Sequence, residues 1–251
     1  MEIKQMGYIN VDGISKIFGS GDTAVAALSK ISFEIEAGEF VAIMGESGAG
    51  KSTLLGILGA MSAPTSGSLV VDEIDIYNLR QEQQADFRRE FLGFIFQSFH
   101  LVPYLTVIEN VMLPLAVKNI TRQEKLEMAT VALLQVGLEG KANRLPNQIS
   151  GGESERVAIA RAIVNEPPVL LADEPTGNLD SQTSKEIMLL LDKLNRGGMT
   201  IIMVTHSQAS ADYAHRLIHI SDGMLVADKP IGYEIQSVSL PLTGAEYAVN
   251  A

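Results

Sequence analysis

Gly45-Glu46-Ser47-Gly48-Ala49-Gly50-Lys51-Ser52 is the stretch around which the rest of the sequence is read. It matches the pattern G-x-x-x-x-G-K-[ST], in which glycines let successive backbone N–H groups wrap an anion. The apolar run Glu39 to Met44 before it reads as a buried strand, and Lys51 to Ala60 after it has helical spacing. A helix starting at that point aims its positive N-terminal end at the bound anion. Lys51 would reach the β- and γ-phosphates of a nucleotide, and the Ser52 hydroxyl would coordinate Mg²⁺. At ordinary residue frequencies the pattern arises by chance in roughly one chain of this length in a hundred. The expected nucleotide-binding residues here are Gly45, Glu46, Ser47, Gly48, Ala49, Gly50, Lys51, Ser52 and Thr53.

Upstream of this loop the chain reads as short strands near Tyr8 to Val11, Ala24 to Leu28 and Ile31 to Ile35, with a turn at Gly19-Ser20-Gly21-Asp22. Downstream, Ala63-Pro64-Thr65-Ser66-Gly67 stops the first helix. From about Gln81 to Glu166 the pattern is largely helical, with GFIFQ (Gly93 to Gln97) as a β-rich interruption. Thr121 with Glu124 forms a capping-box pattern for a helix to Val136, and Ser150 reads as the N-cap of a helix to about Asn165. Alternation then returns: strand Val169 to Asp173, helix Ser181 to Leu194, strand Thr200 to Thr205, and a short helix Gln208 to Ala214. Strands at Arg216 to Ser221 and Leu225 to Lys229 follow, with a weak strand pattern beyond Ile231. Apolar strands alternating with helices predict a parallel sheet covered on both faces. The fold class is therefore α/β, with a helical subdomain at about 85–165 inserted into one domain spanning 1–230, and a C-terminal extension at 231–251.

Composition narrows the function classes. The 251 residues carry 30 acidic and 19 basic side chains, a formal net charge of -11, with a pI near 4.8. That balance argues against non-specific nucleic-acid binding and against attachment to anionic lipid by charge. Zero cysteines exclude a disulfide scaffold, a zinc-thiolate site and a cysteine nucleophile, and fit a reducing compartment. No Cys or acid pattern surrounds His215 and His219, so zinc chemistry is not expected there. The opening MEIKQMGYIN lacks the apolar segment of a signal peptide. No apolar run approaches the roughly 18–20 residues of a membrane span, so membrane work would require a protein partner.

Two further motifs define the chemistry. Val169-Leu170-Leu171-Ala172-Asp173-Glu174 is an apolar strand ending in two carboxylates. In phosphoryl-transfer sites the first acid holds Mg²⁺, and the next orients or activates the attacking water. Together with the glycine-rich loop it describes an NTPase. Ser150-Gly151-Gly152-Glu153 then opens the helix continuing as Arg156-Val157-Ala158-Ile159-Ala160-Arg161-Ala162. A serine cap and two glycines at a helix N-terminus suit a γ-phosphate, although by physics alone a well-capped helix is the commoner meaning.

This segment resembles the signature sequence of ATP-binding cassette (ABC) ATPases, usually LSGGQ. Other members of that family's set fall in order. Gln97 resembles the Q-loop glutamine, Asn178-Leu179-Asp180 the D-loop, and His206 after IIMVT the switch histidine; Phe18 stands where the family stacks an aromatic on adenine. The resemblance covers roughly residues 8 to 229. It implies a P-loop NTPase fold with a RecA-like parallel sheet core, an N-terminal antiparallel β subdomain and an inserted helical subdomain.

The family pattern further implies that two copies sandwich two ATP molecules head to tail, each site using Ser150 to Glu153 of the other copy. It assigns Glu174 to polarising the water, His206 to the γ-phosphate, and Ser52, Gln97 and Asp173 to Mg²⁺. GFIFQSFHLVPYLTVIENVMLPL and ADEPTGNLD look like the branch of macrolide exporters and lipoprotein-release ATPases (MacB/LolD type). Members of that branch pair with integral membrane permease subunits, which implies a peripheral position on the cytoplasmic side of the membrane. The helical insert and the loop His100 to Thr106 are the expected docking surface. An ATPase driving a mechanotransmission or signalling complex is the alternative; soluble relatives in DNA repair or translation carry coiled coils or paired cassettes that this chain lacks.

Two residues depart from the branch. Glu46 replaces a proline, which backbone binding should tolerate. Glu153 replaces the signature glutamine and brings a negative charge close to the expected γ-phosphate, where repulsion would weaken ATP-driven dimerisation.

Overall fold

The computed structural model describes residues 7–231. Among the described residues ten strands form two sheets, packed with seven α-helices. The first is antiparallel, in the order β2 (Val25–Ile35), β1 (Ile9–Phe18), β4 (Ser66–Val71), β5 (Ile74–Asp75). The second has six strands in the order β10 (Met224–Pro230), β9 (Arg216–Ser221), β3 (Phe40–Met44), β8 (Thr200–Thr205), β7 (Val169–Asp173), β6 (Leu92–Ile95). Five of these are parallel, and β10 runs antiparallel to β9 at one edge.

The central strands are apolar throughout because the sheet is buried on both faces. Strand periodicity divides each between two cores. Val41 and Ile43, Val169 and Leu171, and Ile202 and Val204 face the layer that contains α1 (Lys51–Leu58) and the antiparallel sheet. Phe40 and Ala42, Leu170 and Ala172, and Ile201 and Met203 face the opposite layer. That layer packs α3 (Val107–Met112), α4 (Arg122–Gln135), α5 (Gly151–Ile163), α6 (Ser181–Arg196) and α7 (Gln208–Ala211). Helix α2 (Gln81–Phe91) leads directly into β6.

Several local readings need correction. The two strands expected at Ala24 to Leu28 and Ile31 to Ile35 are one strand, β2. Between the two expected segments, Ser29-Lys30 form a bulge opposite Ser15: Lys30 has φ 51°, and its N–H donates to Ser15 Oγ at 2.9 Å. The first strand is also longer, reaching Phe18. Strands β4 and β5 have no counterpart in the sequence pattern, where Ala63-Pro64-Thr65-Ser66-Gly67 marks only the stop of the first helix. Of the β-rich interruption at Gly93 to Gln97, residues 93–95 belong to β6, which pairs with β7 at the edge of the main sheet. The helix expected at Gln208 to Ala214 stops at Ala211. The weak strand pattern beyond Ile231 lies outside the described residues.

Candidate functional site

The glycine-rich loop joins β3 to α1. Gly50 is the N-cap of α1, with φ 98°, and a Cβ there would meet Leu28 Cδ2 at 2.8 Å and the Ala27 carbonyl. Only glycine adopts this backbone without strain while packing so closely. Lys51 is 8% exposed, and its Nζ donates to the carbonyls of Gly45 and Glu46, both at 2.8 Å. The ammonium is thereby folded back against its own loop.

The parallel strands deliver the remaining groups from their C-terminal ends, the usual position for a ligand crevice in an open α/β sheet. At the end of β7, Asp173 Oδ1 accepts from Ser52 Oγ at 3.4 Å. Burial raises the Asp173 pKa above the ordinary value, helped by the Glu174 charge and opposed by Ser52 and Lys51. Glu174 adopts φ 49° and its N–H donates to Val204 O at 2.9 Å, which turns the chain sharply after β7. Its Oε1 is 2.7 Å from His206 Nδ1, and its Oε2 accepts from Thr205 Oγ1 at 3.2 Å. A carboxylate bonded through both oxygens is held in one orientation. The Glu174 side chain is 11% exposed and that of His206 68%, so the pair spans from the cavity wall to open solvent.

These groups converge on a cavity of about 560 Å³. Ser47, Gly48, Gly50, Lys51, Ser52 and Thr53 line it from the loop and α1, Gln97 from after β6, and Asp173, Glu174 and His206 from the strand ends. Ser52, Gln97 and Asp173 offer hard oxygen donors, which fit Mg²⁺ bound partly through a ligand's phosphates. Among the described residues no cluster of three His, Cys, Asp or Glu could hold a metal by side chains alone.

The other expected site residues lie elsewhere. Gly45 packs against the Ile220 carbonyl, Ala49 is buried in the core, and the Glu46 side chain is exposed. Phe18 ends β1 with 48% exposure. Ser150, Gly151, Gly152 and Glu153 open α5, and Asp180 caps α6 by accepting from the N–H groups of Gln182 and Thr183, both at 3.0 Å. The Thr183 hydroxyl, at 2.6 Å, contributes most to holding the Asp180 carboxyl below its usual pKa. A Cβ on Gly152 would collide with the Thr183 methyl, so the starts of α5 and α6 pack through that glycine. Asn178 Nδ2 donates to the Gln97 backbone carbonyl at 2.8 Å, tying the segment before α6 to the one after β6.

Glu153 is paired within its own chain. Its Oε2 accepts from Ser150 N at 2.8 Å, and its Oε1 lies 3.0 Å from Lys141 Nζ. The Ser150 amide first, and then Lys141, hold its carboxyl below the usual range. Sequence reasoning missed Ala27 and Val204, which line the cavity, and the buried Glu155 on α5. The first two act by position alone and carry no chemical signal.

The sequence matches the ABC transporter family over residues 28–177. The chain belongs to the ABC transporter family. An uncharacterised ABC transporter ATP-binding protein of Bacillus subtilis, YvrO, is 45% identical over 221 residues, covering 88% of this chain and 96% of that protein. The macrolide export ATP-binding/permease protein MacB of Escherichia coli is 43% identical over 220 residues, 88% of this chain. This stretch is only 34% of MacB, so the chain corresponds to about a third of that relative. The dimeric, post-hydrolysis structure of the ATP-binding cassette MJ0796 with ADP and Pi superposes with a TM-score of 0.82 at 41% identity, covering 89% of this chain and 98% of that one. This ABC transporter subunit is thus an ATP-binding protein and an ABC ATPase. Among its described residues no helix is long and apolar enough to cross a membrane.

Proposed function

We propose that this ABC ATPase closes as a head-to-tail homodimer on two ATP molecules and thereby drives an integral membrane permease of the MacB/LolD type from the cytoplasmic side. The observation that carries the reading is the division of the machinery. Glu174 is fixed through both oxygens at the phosphate-loop cavity, whereas Ser150 to Glu153 lie outside that cavity. A second copy would complete each site, and the related cassette MJ0796 is dimeric with ADP and Pi bound.

In this reading the backbone N–H groups of Ser47 to Ser52 and the N-terminus of α1 bind the β- and γ-phosphates. Lys51 moves from the Gly45 and Glu46 carbonyls to the phosphate oxygens. Glu174 orients the attacking water and accepts its proton, and His206 holds that carboxylate in place while facing the γ-phosphate. Phe18 stacks on the adenine. Ser52, Asp173 and Gln97 hold Mg²⁺, which supplies charge neutralisation for the phosphate oxygens when bound. Ser150 and Gly152 of the second copy contact the γ-phosphate, and Asp180 lies at the joint between copies.

Docking to the permease falls to the helical insert and the loop His100 to Thr106. Arg161 on α5 donates to the carbonyls of Phe99 and His100, both at 2.6 Å, giving that loop a rigid base. Tyr104 at its tip is 80% exposed. The similarity to proteins named macrolide exporters supports transport over mechanotransmission.

Substituting Glu174→Gln tests the reading. The variant is expected to bind ATP, accumulate as an ATP-bound dimer in light scattering, and lose about 10²–10⁴-fold in turnover. Hydrolysis at the wild-type rate would remove Glu174 as the base.

A further inference from the structure

Phe18 has an unusual mounting for a ring that must present a flat face. It is the last residue of β1, opposite Val25, and about half exposed, and phenylalanine has no polar atom with which to anchor itself. Lys16 stands two residues earlier and so projects from the same face of the strand. Its Nζ lies over the Phe18 ring, 5.2 Å from the centroid, within the roughly 6 Å reach of a cation–π contact. The same Nζ donates to the Ala63 carbonyl at 2.5 Å.

Ala63 belongs to the turn that follows α1, the helix carrying the phosphate loop. Two more bonds fasten that turn to β1: Ile17 N–H donates to Thr65 Oγ1 at 3.0 Å, and Thr65 N–H donates to Ser15 O at 2.8 Å. Lys16 is therefore a strut between the exit of α1 and the aromatic ring. It covers one face of the ring, while Phe18 as a whole keeps 48% of its surface exposed.

We propose that Lys16 is the positioning residue of the base platform, orienting Phe18 for adenine through its ammonium group while taking no part in phosphate binding. The proposal rests on the reading of Phe18 as the adenine platform. A ring whose orientation is set before the ligand arrives loses less freedom on binding, so the residue acts on affinity and not on the chemical step. Lys16 is absent from the walls of the phosphate-loop cavity, and its ammonium is already shared between a carbonyl and a ring face.

The test compares ATP with inorganic tripolyphosphate, which has no base. Lys16→Met retains the aliphatic stem and removes the charge. It is expected to raise the KM for ATP about two- to fivefold, with kcat and the Kd for tripolyphosphate unchanged, and Lys16→Arg should restore the wild-type KM. An equal loss of tripolyphosphate affinity would make Lys16 a phosphate ligand and overturn the proposal. So would a Lys16→Met effect that persists undiminished in a Phe18→Ala background. Phe18→Ala separates the two layers. Unchanged ATP affinity in that variant would defeat the platform reading itself; a loss there beside a silent Lys16→Met would defeat only the role of Lys16.

Discussion

Glu46 and Glu153, the two acidic replacements in the nucleotide motifs, are absorbed by different means. Glu46 contributes its carbonyl to Lys51 while its side chain points to solvent, so the loop uses the backbone and tolerates the residue. Glu153 would bring a charge toward a γ-phosphate, but the Ser150 amide and Lys141 already engage both its oxygens. Lys141, twelve residues upstream, is thus placed to offset the repulsion expected from the sequence. Removing that cation should expose it. In a Glu174→Gln background, Lys141→Met is expected to raise the ATP concentration for half-maximal dimerisation by up to about fivefold, the range for a partly exposed ion pair. Adding Glu153→Gln should restore the original value. If the single and double variants dimerise alike, the Glu153 charge plays no part at the interface.

Helix α5 shows what the sequence discloses and what it hides at the scale of an element. Its start at Ser150 follows from cap chemistry, and the capping box is formed as Ser150 and Glu153 require. Strands β7 and β8 were equally readable, because fully buried parallel strands leave unbroken apolar runs, and the carboxylates Asp173 and Glu174 mark where β7 ends. Strands β4 and β5 were not, since Ser66, Gly67 and Ser68 are turn residues until a neighbouring strand pairs with them. The convergence of loop, strand ends and His206 on one cavity follows from motif order. Glu155 did not follow from anything local: on a helix with Arg156 and Arg161 it reads as one more polar surface residue.

In the structure Glu155 is 1% exposed, its Oε1 has no hydrogen-bond partner, and burial pushes its pKa up to about 8 against an opposing pull from Arg161. Between its ordinary value of 4.5 and about 8, the folded chain retains a proton that the unfolded chain releases. Stability therefore falls as pH rises through that window. Glu155→Gln has no proton to lose, so its urea midpoint should decline less between pH 5 and pH 8 than that of the wild type. Parallel declines would show that Glu155 is not held neutral inside the fold.

For the whole molecule the decisive feature is that one six-stranded sheet serves both cores. Val41 and Ile43 face the α1 side and Phe40 and Ala42 face the other, so neither core survives loss of the strands between them. The phosphate loop leaves the central strand β3 and starts α1, placing the ligand on the element common to both layers. ATP should therefore stabilise the fold as a unit despite the net charge of -11. Amides and Lys51 set the local field, while distant charges are screened beyond about 8–10 Å. At a hundredfold excess over Kd, a ligand adds about 2.7 kcal/mol. For a domain of this size that corresponds to a Tm increase of about 5–10 °C. Scanning calorimetry is expected to show one transition that moves intact on adding ATP, and Lys51→Ala should unfold in one transition that no longer moves. Two resolved transitions, with ATP shifting only one, would mean that the shared sheet does not couple the cores.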